Sequence, residues 1–486
     1  MLLRHTLFNL LGLGLPLVVA VFTIPLLIEA LGTAQFGLLT LIWAVVSYFG
    51  LFDLGLGRTL TLQMSVAESR GERERIAPAV ATALTFMAIL GVLVGALLVV
   101  GAERGIDLLA AVPEREEAVA ALMAMGIAIP AITLTSGFRG MLEARHAFGI
   151  VNLIRLPMGI YTFLGPLLAV WLGEPRLDVI AWILVAGRYA GLFAHAWFAM
   201  RLLPPDCGAF RFRTDFVKPL FSIGGWLTVS NTISPLMGYA DRFIIGALVS
   251  ATAVAYYATP YEIVTKLWIV PGALTAVLFP TFAAQMARDV ASGTALFRQS
   301  VTALALSLLP VCAALAIFAH EILGLWIDAE FAANSALLLQ IFALGVVFNA
   351  LATIPFTLIQ SAERPKWTAM IHLAEVVPFL AILWWATSMY GPVGAALAWL
   401  ARIVIDTVAM FAASRFVLEA GWSAVVPARF GGLAMLTFVA AALCLVESPA
   451  IRAAGLAGLS AAAAIILLRE PAVVDRLAKL RASGPA

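Results

Sequence analysis

The sequence is poor in charge. Of its 486 residues 12% are charged and 63% hydrophobic, where a soluble globule has about 25% and about 45–50%. That balance excludes an ordinary water-soluble protein, and a net charge of +2 gives no reason to expect a nucleic acid partner. Cysteine is scarce too: Cys207, Cys312 and Cys444 stand apart with no CxxC, which excludes a disulfide framework and a structural metal site. Catalytic motifs are missing. GxxxxGK[ST], HExxH and GxSxG do not occur, and the nearest approach to GxGxxG, "DLGLGRTL", has Leu60 at its third glycine position. The five histidines His5, His146, His195, His320 and His372 have no ligand spacing and read as packing or interface residues.

What the sequence has instead is continuous apolar runs. They do not alternate, so a β-barrel is excluded and the fold class is all-α, a polytopic membrane protein. Mean hydropathy is +1.01. Breaks at charged and Gly/Pro clusters delimit fourteen spans. They are 6–31, 37–66, 76–101, 117–137, 150–172, 178–201, 219–248, 253–284, 299–320, 334–360, 368–388, 392–415, 429–447 and 453–468. The first apolar run reaches Leu31, beyond the roughly 7–15 residues of a signal-peptide core, so it reads as an uncleaved helix.

The cations are divided unequally between the two sides. Twenty Lys and Arg fall in the loops and tails of one side, against Arg104, Arg115, Arg176 and Arg452 on the other. The richer side, with both termini, is expected in the cytoplasm. Segments outside the membrane reach only about 15 residues, leaving no room for a soluble catalytic domain. A membrane glycosyltransferase or polymerase usually has acidic outer loops. Here the acidic outer segment is "AERGIDLLAAVPEREE", so an enzyme is not expected.

The chain hints at duplication. Arg188 and Arg201 on span six have the same spacing as Arg402 and Arg415 on span twelve, and "RGMLEARHAFG" matches "FTLIQSAERPKW" in position. Two six-helix lobes are expected, 1–205 and 206–420, as parallel repeats about an axis along the membrane normal. Spans thirteen and fourteen, 421–470, form an appendix, and 471–486 a cytoplasmic tail with Val473, Leu477 and Leu480 on one face.

Charges inside the spans are costly, about 2.5–3.5 kcal/mol each on insertion scales, and mark partners or wet cavities. In "YFGLFDLGLGRTLTLQ" Asp53 sits near the midplane with Arg58 further toward the cytoplasm. On a straight helix side chains five residues apart diverge by about 140°, so the two are not expected to pair. Glu262 with Lys266, and Arg402 with Asp406, are i,i+4 pairs able to neutralise locally. Asp241 and Arg242 are adjacent and diverge, while Arg188 has no carboxylate on its span closer than Asp178. Arg155 can snorkel to the interface. Arg58, Lys266, Arg242, Arg188 and Arg402 are the expected substrate-binding cations, suited to a diphosphate. Asp53, Asp241 and Glu262 are expected ion-coupling or counter-charge residues, for H+ or Na+. Gly12, Gly14, Pro16 and Pro271 are candidate hinges.

Three stretches carry a resemblance: the opening "NLLGLGLPLVV" through "GLGRTLT", then "GFRGMLEARHAFGIVNLIR", then "MGYADRFIIGALVSATAVAYYATPYEI". They resemble the polysaccharide repeat-unit (O-antigen) flippases of the multidrug/oligosaccharidyl-lipid/polysaccharide exporter superfamily, over spans one to twelve. The resemblance implies two lobes in a V and alternating access. It also implies a cargo of undecaprenyl-diphosphate-linked oligosaccharide moved from the inner to the outer leaflet of a bacterial inner membrane. Membrane lipids, a polysaccharide polymerase and glycosyltransferases are the implied partners. Relatives that flip the peptidoglycan lipid precursor have cavity cations on spans two and eight, here Arg58 and Lys266, and a lipid-tail groove at spans thirteen and fourteen. A drug or metabolite antiporter of the superfamily, a membrane glycosyltransferase or polymerase, and a peptidoglycan-precursor flippase remain as alternatives.

Overall fold

The computed structural model describes residues 2–51, 55–218, 220, 237–286, 289–426 and 430–468. Apolar side chains all round a segment force its backbone to satisfy its own hydrogen bonds, and the described residues form helices and no strand. The first half contains α1 (Leu2–Leu31), α2 (Thr33–Leu51), α3 (Leu56–Ser69), α4 (Ile76–Asp107), α5 (Arg115–Ala144), α6 (Phe148–Trp171) and α7 (Leu177–Arg201). Helix α8 is described over 237–248. Then follow α9 (Ala251–Thr265), α10 (Ile269–Met286), α11 (Val290–Ile317), α12 (Ala319–Trp326), α13 (Ala329–Ser361), α14 (Pro365–Val417), α15 (Trp422–Val425), α16 (Phe430–Leu443) and α17 (Pro449–Leu468). Among the described residues ten segments are long and apolar enough to cross a membrane. The chain is a multi-pass membrane protein, and the polytopic all-α expectation holds. The amphipathic tail and Asp53 lie outside the described residues.

Two of the expected spans are interrupted. Span two breaks at Gly55, whose φ of +67° is left-handed and starts α3. The backbone is therefore not a straight helix on the N-terminal side of Arg58. Span eight tightens into a 3-10 turn over Lys266–Trp268. Pro271, two residues into α10, has no N–H for the carbonyl four residues back, and the turn absorbs the mismatch. By contrast α1 runs through Gly12, Gly14, Pro16 and Pro25 as one helix. Helix α14 is two helices in one, bent at Gly391 (φ 57°, ψ −142°), the break expected between spans eleven and twelve.

The chain forms two compact units, Met1–Ala255 and Tyr256–Ala486. In the first, α5 is central and packs on α3, α4 and α7. Glycines let α4 and α5 approach closely: a Cβ on Gly95 would stand 2.4 Å from the Gly126 carbonyl oxygen. Met64, Val80, Met87 and Leu142 fill the core, while Leu97 and Val100 are 73% and 83% exposed, the face α4 offers to lipid. In the second unit Phe282, Phe297, Leu304 and Leu358 form the core. Leu306, Leu309, Leu436 and Leu459 tie α11 to α16 and α17. Spans thirteen and fourteen thus pack on α11 within the second unit. Arg452 of α17 also pairs with Glu321 of α12 and donates to the Ile317 carbonyl at 2.8 Å.

Candidate functional site

The first unit carries cations without counter-charges. Arg58 is exposed on α3 and Arg188 is half-buried on α7, and neither pairs with a carboxylate among the described residues. Arg58 lies 11 residues from the end of α3 at Ser69, and Arg188 lies 13 from the end of α7 at Arg201. At 1.5 Å per residue both stand about 17–20 Å in from those ends, on helices that flank α5. An exposed arginine at that depth needs water or an anion. Arg155 of α6 is also exposed, whereas His195 is buried with Nδ1 2.8 Å from the Gly191 carbonyl, a packing residue as expected.

Asp241 and Arg242 of α8 are buried, 0% and 3% exposed. The Arg242 amide donates to Asp241 Oδ1 at 2.7 Å, and its guanidinium lies 5.2 Å over the Tyr239 ring.

In the second unit the two expected site cations, Lys266 and Arg402, have partners. Lys266 Nζ is 2.8 Å from Glu262 Oε2, as the spacing suggested. Arg402 does not neutralise itself along its helix. Its Nε lies 3.5 Å from Glu375 Oε2, across the α14 bend, and Asp406 Oδ1 lies 3.4 Å from His372 Nε2. The two halves of α14 run antiparallel, so the His372/Glu375 face meets the Arg402/Asp406 face. Phe379 lies under the Arg402 guanidinium at 5.6 Å, and a cavity of about 320 Å³ adjoins the Glu375–Arg402 pair. The sequence reading passed over Glu375. Its signal was a lone carboxylate in an apolar run, one helical turn after His372, and it gains meaning only once the hairpin is known.

The offset that carries Arg188 onto Arg402 and Arg201 onto Arg415 also carries Tyr161 onto Glu375. Tyr161 is neutral and committed: its hydroxyl donates to the Ile183 carbonyl at 2.8 Å, and its ring rests on Gly187. The slot that holds a counter-charge in the second unit holds a phenol in the first. Arg188 has no carboxylate at the matching position.

An apolar cleft opens in the second unit. A cavity of about 540 Å³ lies between α16 (Thr437, Phe438, Ala441) and the wall of α11, α13 and α14, closed at one side by Trp422. A second of about 270 Å³ shares Leu309, Leu344, Val347 and Ala441 with it. Among the described residues no cluster of three or more His, Cys, Asp or Glu is placed to hold a metal.

The fold is similar to an inward-facing multidrug resistance MATE family transporter of the MOP superfamily, at TM-score 0.72 and 14% identity, covering 85% of this chain and 94% of that one. It is also similar to the lipid II flippase MurJ in an inward closed conformation, at TM-score 0.71 and 12% identity, covering 96% and 99%. In sequence the chain is 30% identical over 407 residues to the "Putative O-antigen transporter" of Shigella flexneri, covering 83% of this chain and 95% of that protein. The "Uncharacterized membrane protein EpsK" of Bacillus subtilis is 25% identical over 374 residues, covering 75% and 72%. The sequence profile described as "Polysaccharide biosynthesis protein" matches residues 2–286. On that match and the Shigella flexneri relative, the chain belongs to the polysaccharide biosynthesis protein family.

Proposed function

We propose that this protein is an alternating-access flippase. It moves undecaprenyl-diphosphate-linked oligosaccharide repeat units from the cytoplasmic to the periplasmic leaflet of a bacterial inner membrane, for polysaccharide biosynthesis. Both termini are cytoplasmic in this reading, and residues 1–205 and 206–420 are the repeated lobes. The observation that carries it is the pair of arginines, Arg58 and Arg188, that face no carboxylate among the described residues at similar depth in one unit. A diphosphate supplies the missing anion, and charge-assisted hydrogen bonds hold it firmly in a site of low dielectric. The apolar cleft beside α16 suits the cargo's polyprenyl tail. Translocation is transport, not catalysis, and the family membership and the transporter relative support that reading.

The remaining ionisable residues take lesser parts. Glu262 acts as counter-charge to Lys266, so Lys266 reaches the cargo only when the 3-10 turn rearranges. Arg242 and Asp241 steady one another and Arg402 is held by Glu375. Asp53, outside the described residues, is proposed as an ion-coupling group. Pro271 and the α1 positions Gly12, Gly14 and Pro16 are the proposed points of bending. A polymerase and glycosyltransferases complete the pathway.

The test is repeat-unit translocation in cells lacking the native protein. Arg188→Gln and Arg58→Gln are expected to cut it by about tenfold to a hundredfold, from the about 1.5–3 kcal/mol of a hydrogen bond to a charged group. Their unfolding midpoints should match the parent. Normal surface polysaccharide in both variants would sink the reading.

A further inference from the structure

Between α7 and α8 the chain makes a strap, residues 202–216, that lies across the start of α4. Its backbone is fastened at several points. The Ala77 amide donates to the Cys207 carbonyl at 2.9 Å, and the Arg213 amide donates to Thr82 Oγ1 at 3.1 Å. Gly208, at φ +87°, presses so close to Glu74 that a Cβ there would stand 2.1 Å from the Glu74 carbonyl oxygen. Fixed in this way, the strap presents "FRFR", Phe210 to Arg213. It has no helical hydrogen bonding, and Arg213 is extended (φ −134°, ψ 127°). From it the Phe212 ring reaches Phe86 of α4, while the Arg213 guanidinium turns to Asp215 and lies 5.7 Å over the Phe216 ring.

Phe210 and Phe212 are 48% and 49% exposed although the strap is pinned. The Phe212 ring meets Phe86 of α4 at 5.9 Å. Helix α4 has 32 residues, about 48 Å at 1.5 Å per residue, against a hydrocarbon core of about 30 Å. The excess is shared between two headgroup layers, about 9 Å each for a centred helix, which on that register sets Thr82 at the edge of the hydrocarbon and Phe86 one turn within it. Exposed aromatic rings belong at that depth. Around them the cations are partly used: Arg73 pairs with Asp206, Arg75 with Glu72 and Arg213 with Asp215. Arg211 and Arg70 are exposed and have no ion pair among the described residues.

We propose that this strap is a binding site for the headgroup of an anionic phospholipid of the adjacent leaflet. The phosphate is held by Arg211 and by neighbouring guanidinium groups. The acyl chains lie against Phe210, Phe212 and Phe86. The occupant is an anionic lipid by charge complementarity at the headgroup depth, where each basic residue adds about 1 kcal/mol of attraction. The site is separate from the transport arginines of α3 and α7 and does not depend on the cargo. Its role is to fix the inner end of α4 and the strap that joins the lobes while α3 and α7 handle substrate.

The test is native mass spectrometry of the purified full-length protein with phosphatidylglycerol or phosphatidylcholine added. The expected result is preferential phosphatidylglycerol binding. It should weaken about fivefold in Arg211→Gln, be kept in Arg211→Lys, and weaken in the Phe210→Ala/Phe212→Ala double variant. The unfolding midpoint in phosphatidylcholine should be unchanged in all three. Equal binding of the two lipids, or unaltered phosphatidylglycerol binding by Arg211→Gln, would overturn the proposal. Preferential displacement of phosphatidylglycerol by undecaprenyl diphosphate in the parent, but not in Arg211→Gln, would also overturn it by giving the strap to the cargo.

Discussion

Glu375 and Arg402 face one another with side chains only 9% and 11% exposed, which makes each the condition for burying the other. Removing one charge of such a pair costs more than removing both, because the survivor is left desolvated and uncompensated. Glu375→Gln is expected to destabilise the protein by about 3 kcal/mol, the low end for a broken buried pair because a cavity adjoins it. Glu375→Gln/Arg402→Gln should recover most of that loss. Thermal unfolding of the three variants in one detergent checks the order. At this scale the sequence was half legible. Arg402 stood out as a charge in an apolar span, but its partner was sought one turn along the same helix. The partner is 27 residues away across a bend. Spacing rules see only along a helix, so they named the right arginine and the wrong acid. For Glu262 and Lys266 the partner does lie along the helix, and there the same rule succeeded.

Elements were the most legible, since apolar length alone decides where helices in lipid begin and end. The exceptions are breaks set by single residues. Gly55 splits span two and the Pro271 region tightens span eight, both inside stretches that read as single spans. The α14 hairpin was signalled by "YGPVG", and its geometry explains both glycines there. Gly391 turns the chain at a ψ of −142° with positive φ, and Gly394 lets the returning helix touch the outgoing one. A Cβ on Gly394 would stand 1.9 Å from the Ala386 carbonyl oxygen, with backbone rather than a flexible side chain in the way. Gly394→Ala is therefore expected to cost about 1–3 kcal/mol, as overpacking does. It should also spread the two halves, weakening the Glu375–Arg402 contact they hold. The measurement is a double-mutant cycle on unfolding midpoints: Glu375→Gln should cost less in the Gly394→Ala background than in the parent. Equal cost in both would mean that the bend does not position the pair.

For the whole molecule the informative feature is the common offset that relates Arg188 to Arg402 and Tyr161 to Glu375, of which the second pair differs in charge. In the proposed repeat, a matched arginine with a carboxylate opposite it in one half and a phenol in the other is a divergence between the halves. Arg402, opposite Glu375, is internally compensated. Arg188, with Tyr161 at the matching position, has no ion pair among the described residues, which is why the proposed function gives it the anion. This asymmetry was beyond the sequence reading, which found the arginines by their spacing but had no register for the helices facing them. It leads to a substitution that should act through charge alone. Tyr161→Glu places a carboxylate on the helix face that borders Gly187, next to Arg188, as Glu375 borders Arg402. The expected outcome is a loss of translocation at least as large as that of Arg188→Gln, with the protein still folded and inserted. Tyr161→Phe removes the hydroxyl and its bond to the Ile183 carbonyl but adds no charge, so it should cost about 1 kcal/mol of stability and little transport. Tyr161→Gln, close in size to Glu and neutral, separates charge from lost packing: transport should survive in it and fail in Tyr161→Glu. Similar transport by the Glu and Gln variants would mean that Arg188 is not the group that meets the anion.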